Sequence, residues 1–128
     1  MKKHVHVAVG VIKQGNEIFI AKRHSSQHQG GKWEFPGGKV ETNETVTQAL
    51  ARELKEEIGI EVNSSQPFLE IKHDYSDKSV HLDIHLVEDF IGEAKHCEGQ
   101  ESKWVAVSEL KNYEFPEANK VIIEKLLS

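Results

Sequence analysis

The sequence predicts an α+β fold, an α/β/α sandwich in which a mixed β-sheet is flanked by helices. Three observations carry that expectation: an apolar alternation near the amino terminus, one sharply bounded amphipathic helix in mid-chain, and further strands after it before a closing helix. Strict βαβ alternation is absent, which argues against a doubly wound nucleotide fold. A length of 128 residues suits one core, so residues 1–128 are expected to form a single domain. Hydrophobic residues at 38% and charged residues at 29% place the chain among globular rather than disordered sequences.

Val5, Val7, Val9 and Val11 alternate with His6, Ala8 and Gly10, the period of two that marks a strand. Gln14-Gly15-Asn16 supplies a turn and residues 17–23 return as a second strand, so the two form a hairpin. Residues 24–32, polar and containing Gly30-Gly31, read as a loop. Residues 33–35 make a short strand that Pro36-Gly37-Gly38 should end in a turn. Thr45 and Gln48 have the spacing of a capping box, Val46, Leu50 and Leu54 recur at helical spacing, and Gly59 is a stop, so the helix is expected over residues 45–58. Residues 68–74, 80–91 and 102–107 read as strands, Ser108 is placed to cap a short turn, and residues 117–127 read as a terminal helix.

Charge narrows the partners. Sixteen Lys and Arg against 21 Asp and Glu give a net charge of -5, which argues against a nucleic acid polymer or an anionic membrane. A small anionic ligand remains compatible if a cation bridges it to the protein. Cys97 is the single cysteine, so no intramolecular disulfide or multi-cysteine metal site can form, in keeping with a reducing compartment. The apolar run after Met1 is broken by His4 and His6 and lacks a small-residue cleavage site, so no signal peptide is read. No apolar stretch approaches the ~20 residues of a membrane span. The expected location is the cytoplasm.

The mid-chain helix carries the chemistry. Glu53, Glu56 and Glu57 stand at i, i+3 and i+4, so their carboxylates share about one-third of the helix circumference. Like charges at this spacing disfavour the helix by some tenths of a kcal/mol, and a hard divalent cation reverses the sign. Oxygen donors with no Cys or His among them suit Mg2+ or Mn2+ better than zinc. Taken alone, the run reads more simply as a solvated face with Arg52 paired to Glu56. Its surroundings change the balance: Gly37-Gly38-Lys39 precedes the helix as a tight loop with backbone groups and a lysine for phosphate oxygens, and Glu44 follows it.

Gly38, Glu44, Arg52-Glu53-Leu54, Glu56-Glu57 and Gly59-Ile60 are separated by five, seven, one and one residues. This arrangement is similar to the signature of the Nudix hydrolases at all nine specified positions within residues 38–60. Beyond it, AVGVI, NEIFIAKR, EFPGGK, EGQESKW and FPEANKVI resemble blocks of the MutT-like 8-oxo-dGTP diphosphatase subgroup. That resemblance implies a Nudix fold and a Mg2+-dependent nucleoside triphosphate pyrophosphohydrolase, with Mn2+ as a substitute, acting on 8-oxo-dGTP and less well on dGTP. Nucleotide-pool sanitation, a small-molecule substrate and a monomeric enzyme are the matching expectations.

The resemblance also implies residue roles. Gly37 would offer a backbone carbonyl to the metal, with carboxylates from Glu53, Glu56, Glu57 and Glu98. Glu53 is the favoured general base and Glu98 its rival. Arg52 would orient a glutamate by a charge-assisted hydrogen bond, while Gly38, Glu44 and Gly59 are structural members of the motif. Asn119, whose amide can donate and accept together, would read the oxidised guanine; without the resemblance it reads as a helix cap. Arg23, His28, Glu34, Phe35, Pro36, Gly37 and Lys39 would lie along the nucleotide. The subgroup is more aromatic than this chain over residues 80–86.

Other features point elsewhere or nowhere. His81, Asp83 and His85 alternate on one strand face and could hold a transition metal, yet an exposed polar face is the simpler expectation, extended to His4, His6 and His73. Lys78 is expected in a loop, in reach of a base. Gly10 and Gly15 have P-loop separation, but Asn16-Glu17 occupy the positions that need Lys and Ser or Thr. Alternative functions are hydrolysis of another nucleoside diphosphate derivative, such as ADP-ribose or a dinucleotide, and a non-catalytic nucleotide-binding module. The costly glutamate cluster speaks against the last.

Overall fold

A computed structural model describes residues 3–23, 31–97 and 99–128. Its elements run β1 (Lys3–Gln14), β2 (Glu17–Lys22), β3 (Trp33–Glu34), β4 (Gly37–Lys39), α1 (Val46–Ile58), β5 (Glu61–Asp74), β6 (Lys78–Ile91) and β7 (Ser102–Ala106), then two 3-10 turns and α2 (Lys120–Leu127). The 3-10 turns span Val107–Asn112 and Glu117–Asn119. The sheet is mixed, ordered β3-β2-β1-β6-β5, with β4 on β1 and β7 on β2. Strand β1 is its branch point: it pairs parallel with β6 from Lys3↔Lys78 to Ile12↔Val87, antiparallel with β4, and turns through Gly15 and Asn16 into β2.

The two sides of β1 explain the layers. Val9 and Val11 point into one core with Leu82, Ile84, Phe115 and Ile122, the last from α2. Ala8 and Ile12 point into the other with Leu50, Leu54 and Ile58 of α1. A strand buried on both faces needs apolar residues at successive positions, which is why the segment from Ala8 to Ile12 is apolar throughout. Gly10 lies under α1, where an added Cβ would stand 3.1 Å from a methyl of Leu54 and 3.3 Å from one of Leu50. Its bare backbone lets the helix settle onto the strand.

Helix α1 begins and ends as its sequence demands. Thr45 Oγ1 accepts from the Gln48 amide at 3.1 Å, and Gln48 Oε1 accepts from the Thr45 amide at 2.9 Å, so the capping box is closed. Gly59 takes φ +72° and its N–H donates to the Lys55 carbonyl, the left-handed cap that glycine adopts without a Cβ penalty.

Four elements differ from the sequence expectation. Gly37 and Gly38 form a strand rather than only a turn: Ala8 pairs with Gly38 and Val9 with Gly37, and a Cβ on Gly37 would lie 2.1 Å from the Ala8 carbonyl oxygen. Glycine here serves a close backbone approach. Strand β5 starts at Glu61, seven residues before the expected position, because register shifts between Val62 and Leu69 break the alternation. Pro67 is tolerated there because β5 is an edge strand, bonded among the described residues only to β6. Finally, residues 117–119 are a 3-10 turn preceding α2, and Ser108 lies inside its turn, whose cap position is Ala106.

Candidate active site

Strand β4 and helix α1 bring the motif together. Arg52 is the hub: its Nε donates to Glu44 Oε2 at 2.7 Å, one Nη to Glu53 Oε1 at 2.7 Å, and the other to Glu44 Oε1 at 3.0 Å and to the Lys39 carbonyl at 3.1 Å. One guanidinium thus ties the residues before the helix to its middle turn. The Arg52 hydrogen bond and the Glu41 amide hold the Glu44 carboxyl down at about 2, and the paired carboxylates push Arg52 up in turn, Glu44 first. Glu56 Oε2 is only within 3.7 Å of Arg52, so the i, i+4 pair is the weakest of the arginine's contacts.

Glu53 is pinned from a second side. Its carboxylate packs so tightly on Gly38 that a Cβ there would lie 2.2 Å from Glu53 Cδ. The three helical carboxylates are held apart: Glu53 at Arg52, Glu56 in solvent with its side chain 64% exposed, and Glu57 with Oε1 3.8 Å from Nε2 of buried His96. Among the described residues they do not gather around one point. All three remain oxygen donors on one side of α1, with Glu53 packed on Gly38, a donor set that fits a hard divalent cation.

Glu57 opens onto a cavity of about 380 Å³ between the β4 end of the site and the segment before α2. Gly37, Gly38 and Lys39 line it together with Arg23, Glu34, Phe35, Lys78 and Asn119. Asn119 lies at the N-terminus of α2, yet its side chain makes no capping bond, so its amide is left to face the cavity. Arg23 donates to Glu34 Oε1 at 2.6 Å. Burial pushes the Glu34 carboxyl above the usual carboxylate range, with the arginine pulling the other way. Phe35 is buried and stacks on Phe115 with centroids 5.1 Å apart, so it shapes a wall.

Some expected site residues lie elsewhere. Pro36 is buried and accepts from the Gly10 amide at 2.8 Å through its carbonyl; it is not among the cavity-lining residues. Glu53 and Glu56 also lie outside the lining. His28 and Glu98 fall outside the described residues. Lys78 opens strand β6 rather than sitting in a loop. His85 is not part of an exposed polar face: it is buried, with Nδ1 3.1 Å from Ser65 Oγ. The strand is two-faced only as far as α1 leaves it uncovered. Two cavity residues, Tyr75 and His96, carry no sequence signal, because each arrives from a loop whose path the local pattern does not encode.

A NUDIX domain family model matches residues 7–125. The chain is 41% identical over 125 residues to the 8-oxo-dGTP diphosphatase of Escherichia coli K12, covering 97% of each chain. It is 33% identical over 126 residues to the CTP pyrophosphohydrolase of the same organism, covering 98% of this chain and 93% of the relative. A solved structure from work on MutT from Aliivibrio salmonicida and Vibrio cholerae superposes with a TM-score of 0.84 at 42% identity, covering 96% of this chain and 95% of the other.

Proposed function

This chain belongs to the NUDIX domain family, and we propose that it is a Mg2+-dependent pyrophosphohydrolase converting 8-oxo-dGTP, and less well dGTP, with one water into the monophosphate and pyrophosphate. Such an enzyme removes a mutagenic precursor from the nucleotide pool. One observation carries the reading: a single cavity is lined by Glu57, by the Gly37-Gly38-Lys39 strand and by Asn119, whose side chain makes no capping bond. That is a place for phosphates and a place for a purine edge.

The family generally uses a divalent metal. In this reading Glu53, Glu56, Glu57 and the Gly37 carbonyl hold Mg2+, with Glu98 as a further ligand. When bound, Mg2+ neutralises phosphate charge and lowers the pKa of a bound water. The chain's own residues do the rest. Arg52 fixes Glu53 so that the carboxylate needs no reorganisation to take a proton as general base, the role for which Glu98 is the rival. Lys39 and Arg23 supply positive charge along the cavity, and Asn119 can donate to one atom of the base and accept from another. Glu34, which accepts from Arg23 at 2.6 Å, holds the guanidinium at the cavity wall.

The deciding experiment is steady-state hydrolysis of 8-oxo-dGTP, dGTP, CTP and ADP-ribose by the purified chain with and without Mg2+. The highest kcat/KM is expected on 8-oxo-dGTP, with no turnover in chelator. A preference for ADP-ribose or CTP overturns the substrate assignment, and CTP is the arm that the 33% identical relative recommends. In the same assay Asn119→Ala should erase the preference of 8-oxo-dGTP over dGTP.

A further inference from the structure

Away from the cavity, a second cluster occupies the reverse face of the central sheet. His6 Nε2 lies 2.5 Å from Asp83 Oδ2, and His81 Nε2 lies 3.7 Å from the same oxygen. His81 Nε2 is also 2.8 Å from Glu70 Oε2. The two imidazoles stack with centroids 4.5 Å apart and planes 9° from parallel. One ligand atom each from His6, His81 and Asp83 fall within 4.8 Å of one another.

We propose that His6, His81 and Asp83, with Glu70 as the adjoining fourth donor, form a binding site for a transition-metal dication of the Zn2+ type, separate from the carboxylate site on α1. The ligand chemistry selects the metal: two imidazoles and carboxylates suit Zn2+, Ni2+ or Cu2+, whereas Mg2+ favours an all-oxygen shell. Bonds of about 2.0–2.2 Å in a tetrahedron put ligand atoms roughly 3.3 Å apart. The present separations of 2.5 and 3.7 Å bracket that value, so side-chain rotation alone completes the geometry.

The backbone holds the donors in place. His6 and His81 are direct partners in the parallel β1–β6 ladder, and Glu70 and Asp83 are direct partners in the antiparallel β5–β6 ladder. Three adjacent strands therefore deliver the four side chains to one face. The imidazoles and Asp83 are between one-fifth and two-fifths exposed, enough for an ion to enter while the rings stay ordered. Lys72, the ladder partner of His81, is the nearby cation whose flexible chain must swing away. Val5, Val7, Val80 and Leu82, interleaved with the ligands, line the nucleotide cavity on the opposite face. A metal bound here would clip together the strands that form the cavity floor without entering it.

The test is a calorimetric titration of Zn2+ into the untagged full chain with Mg2+ in excess to occupy the α1 carboxylates. One equivalent of Zn2+ is expected to bind to the wild type and to Cys97→Ser, and to bind at least roughly tenfold more weakly to His81→Gln and Asp83→Asn. Long-range 1H–15N spectra of the wild-type imidazoles provide a readout that needs no variant: His6 and His81 should shift at one equivalent, and His73 should not. Equal Zn2+ binding by His81→Gln, loss of binding in Cys97→Ser alone, or unshifted His6 and His81 rings overturns the proposal. The test leaves the hydrolase reading untouched, since no catalytic turnover is measured.

Discussion

Glu53 is constrained by a guanidinium on one side and a bare glycine backbone on the other. The two constraints predict different failures. Under the proposed roles, Glu53→Gln keeps the shape and removes the proposed base and metal ligand, so kcat should fall by about 10²–10⁴ with little change in melting temperature. Gly38→Ala keeps the base and displaces it, because the new methyl would occupy the space 2.2 Å from Glu53 Cδ. A carboxylate at the end of a flexible chain can yield, so Gly38→Ala should fold and lose on the order of 10²-fold in kcat, the cost of a misplacement near 1 Å. Rapid-quench kinetics on both variants checks this; an active Gly38→Ala enzyme would mean that the Glu53 position is immaterial. Most of this site is legible in the sequence, because a motif with fixed spacing on one helix converts directly into a shared face. The part that is not legible is the division of labour: sequence spacing offers Glu56 to Arg52, and the fold gives Arg52 to Glu44 and Glu53 instead, since the chain before α1 folds back beside it.

Helix α1 is a reading frame for the site, and its stability sets how firmly the glutamates are held. Thr45→Ala removes the acceptor for the Gln48 amide and should cost about 1 kcal/mol. Leu54, fully buried against Gly10 and β1, should cost about 2–5 kcal/mol as Leu54→Ala; urea denaturation measures both. The two ends and the apolar stripe of this helix are readable from local sequence because each depends on neighbours within four residues. Strand β5 shows the opposite case. Its first seven residues are polar apart from Val62 and Pro67 and slip register against β6, so no period survives to be read. Strand β4 was hidden for another reason: glycines that look like a turn are there because the Ala8 carbonyl passes 2.1 Å from where a side chain would begin.

At the scale of the molecule, three of the described groups shape the acid dependence of stability: Glu44 and His85 lose protons on folding and Glu34 keeps its own. Glu44 sits at about 2 in the fold against its ordinary 4.5, so its contribution is complete above 4.5 and disappears as pH falls toward 2. Burial lowers His85 below its ordinary 6.5, with Asp83 opposing; the unfolded histidine takes its proton first, so stability begins to fall as pH drops below 6.5. Glu34, raised by burial, acts in the other direction and partly compensates on the acid side. Melting temperatures from pH 8 to 3 should therefore decline in two stages, with His85→Gln flattening the upper stage and Glu44→Gln the lower.

The branch at β1 has a consequence for how the chain reaches its fold. Lys3 pairs with Lys78, 75 positions later, and that parallel ladder runs through to Val87. The first strand made thus waits long for one of its partners, and β2 waits longer still, since Glu17 pairs with Ala106 and Ala21 with Ser102 of β7; closing such long loops carries an entropic cost that local contacts cannot offset. A nascent chain arrested before β6 emerges should leave β1 accessible to protease, and refolding should be limited by the β1–β6 and β2–β7 encounters. Once formed, the amides of β1 and β6 should be the slowest in the protein to exchange with deuterium.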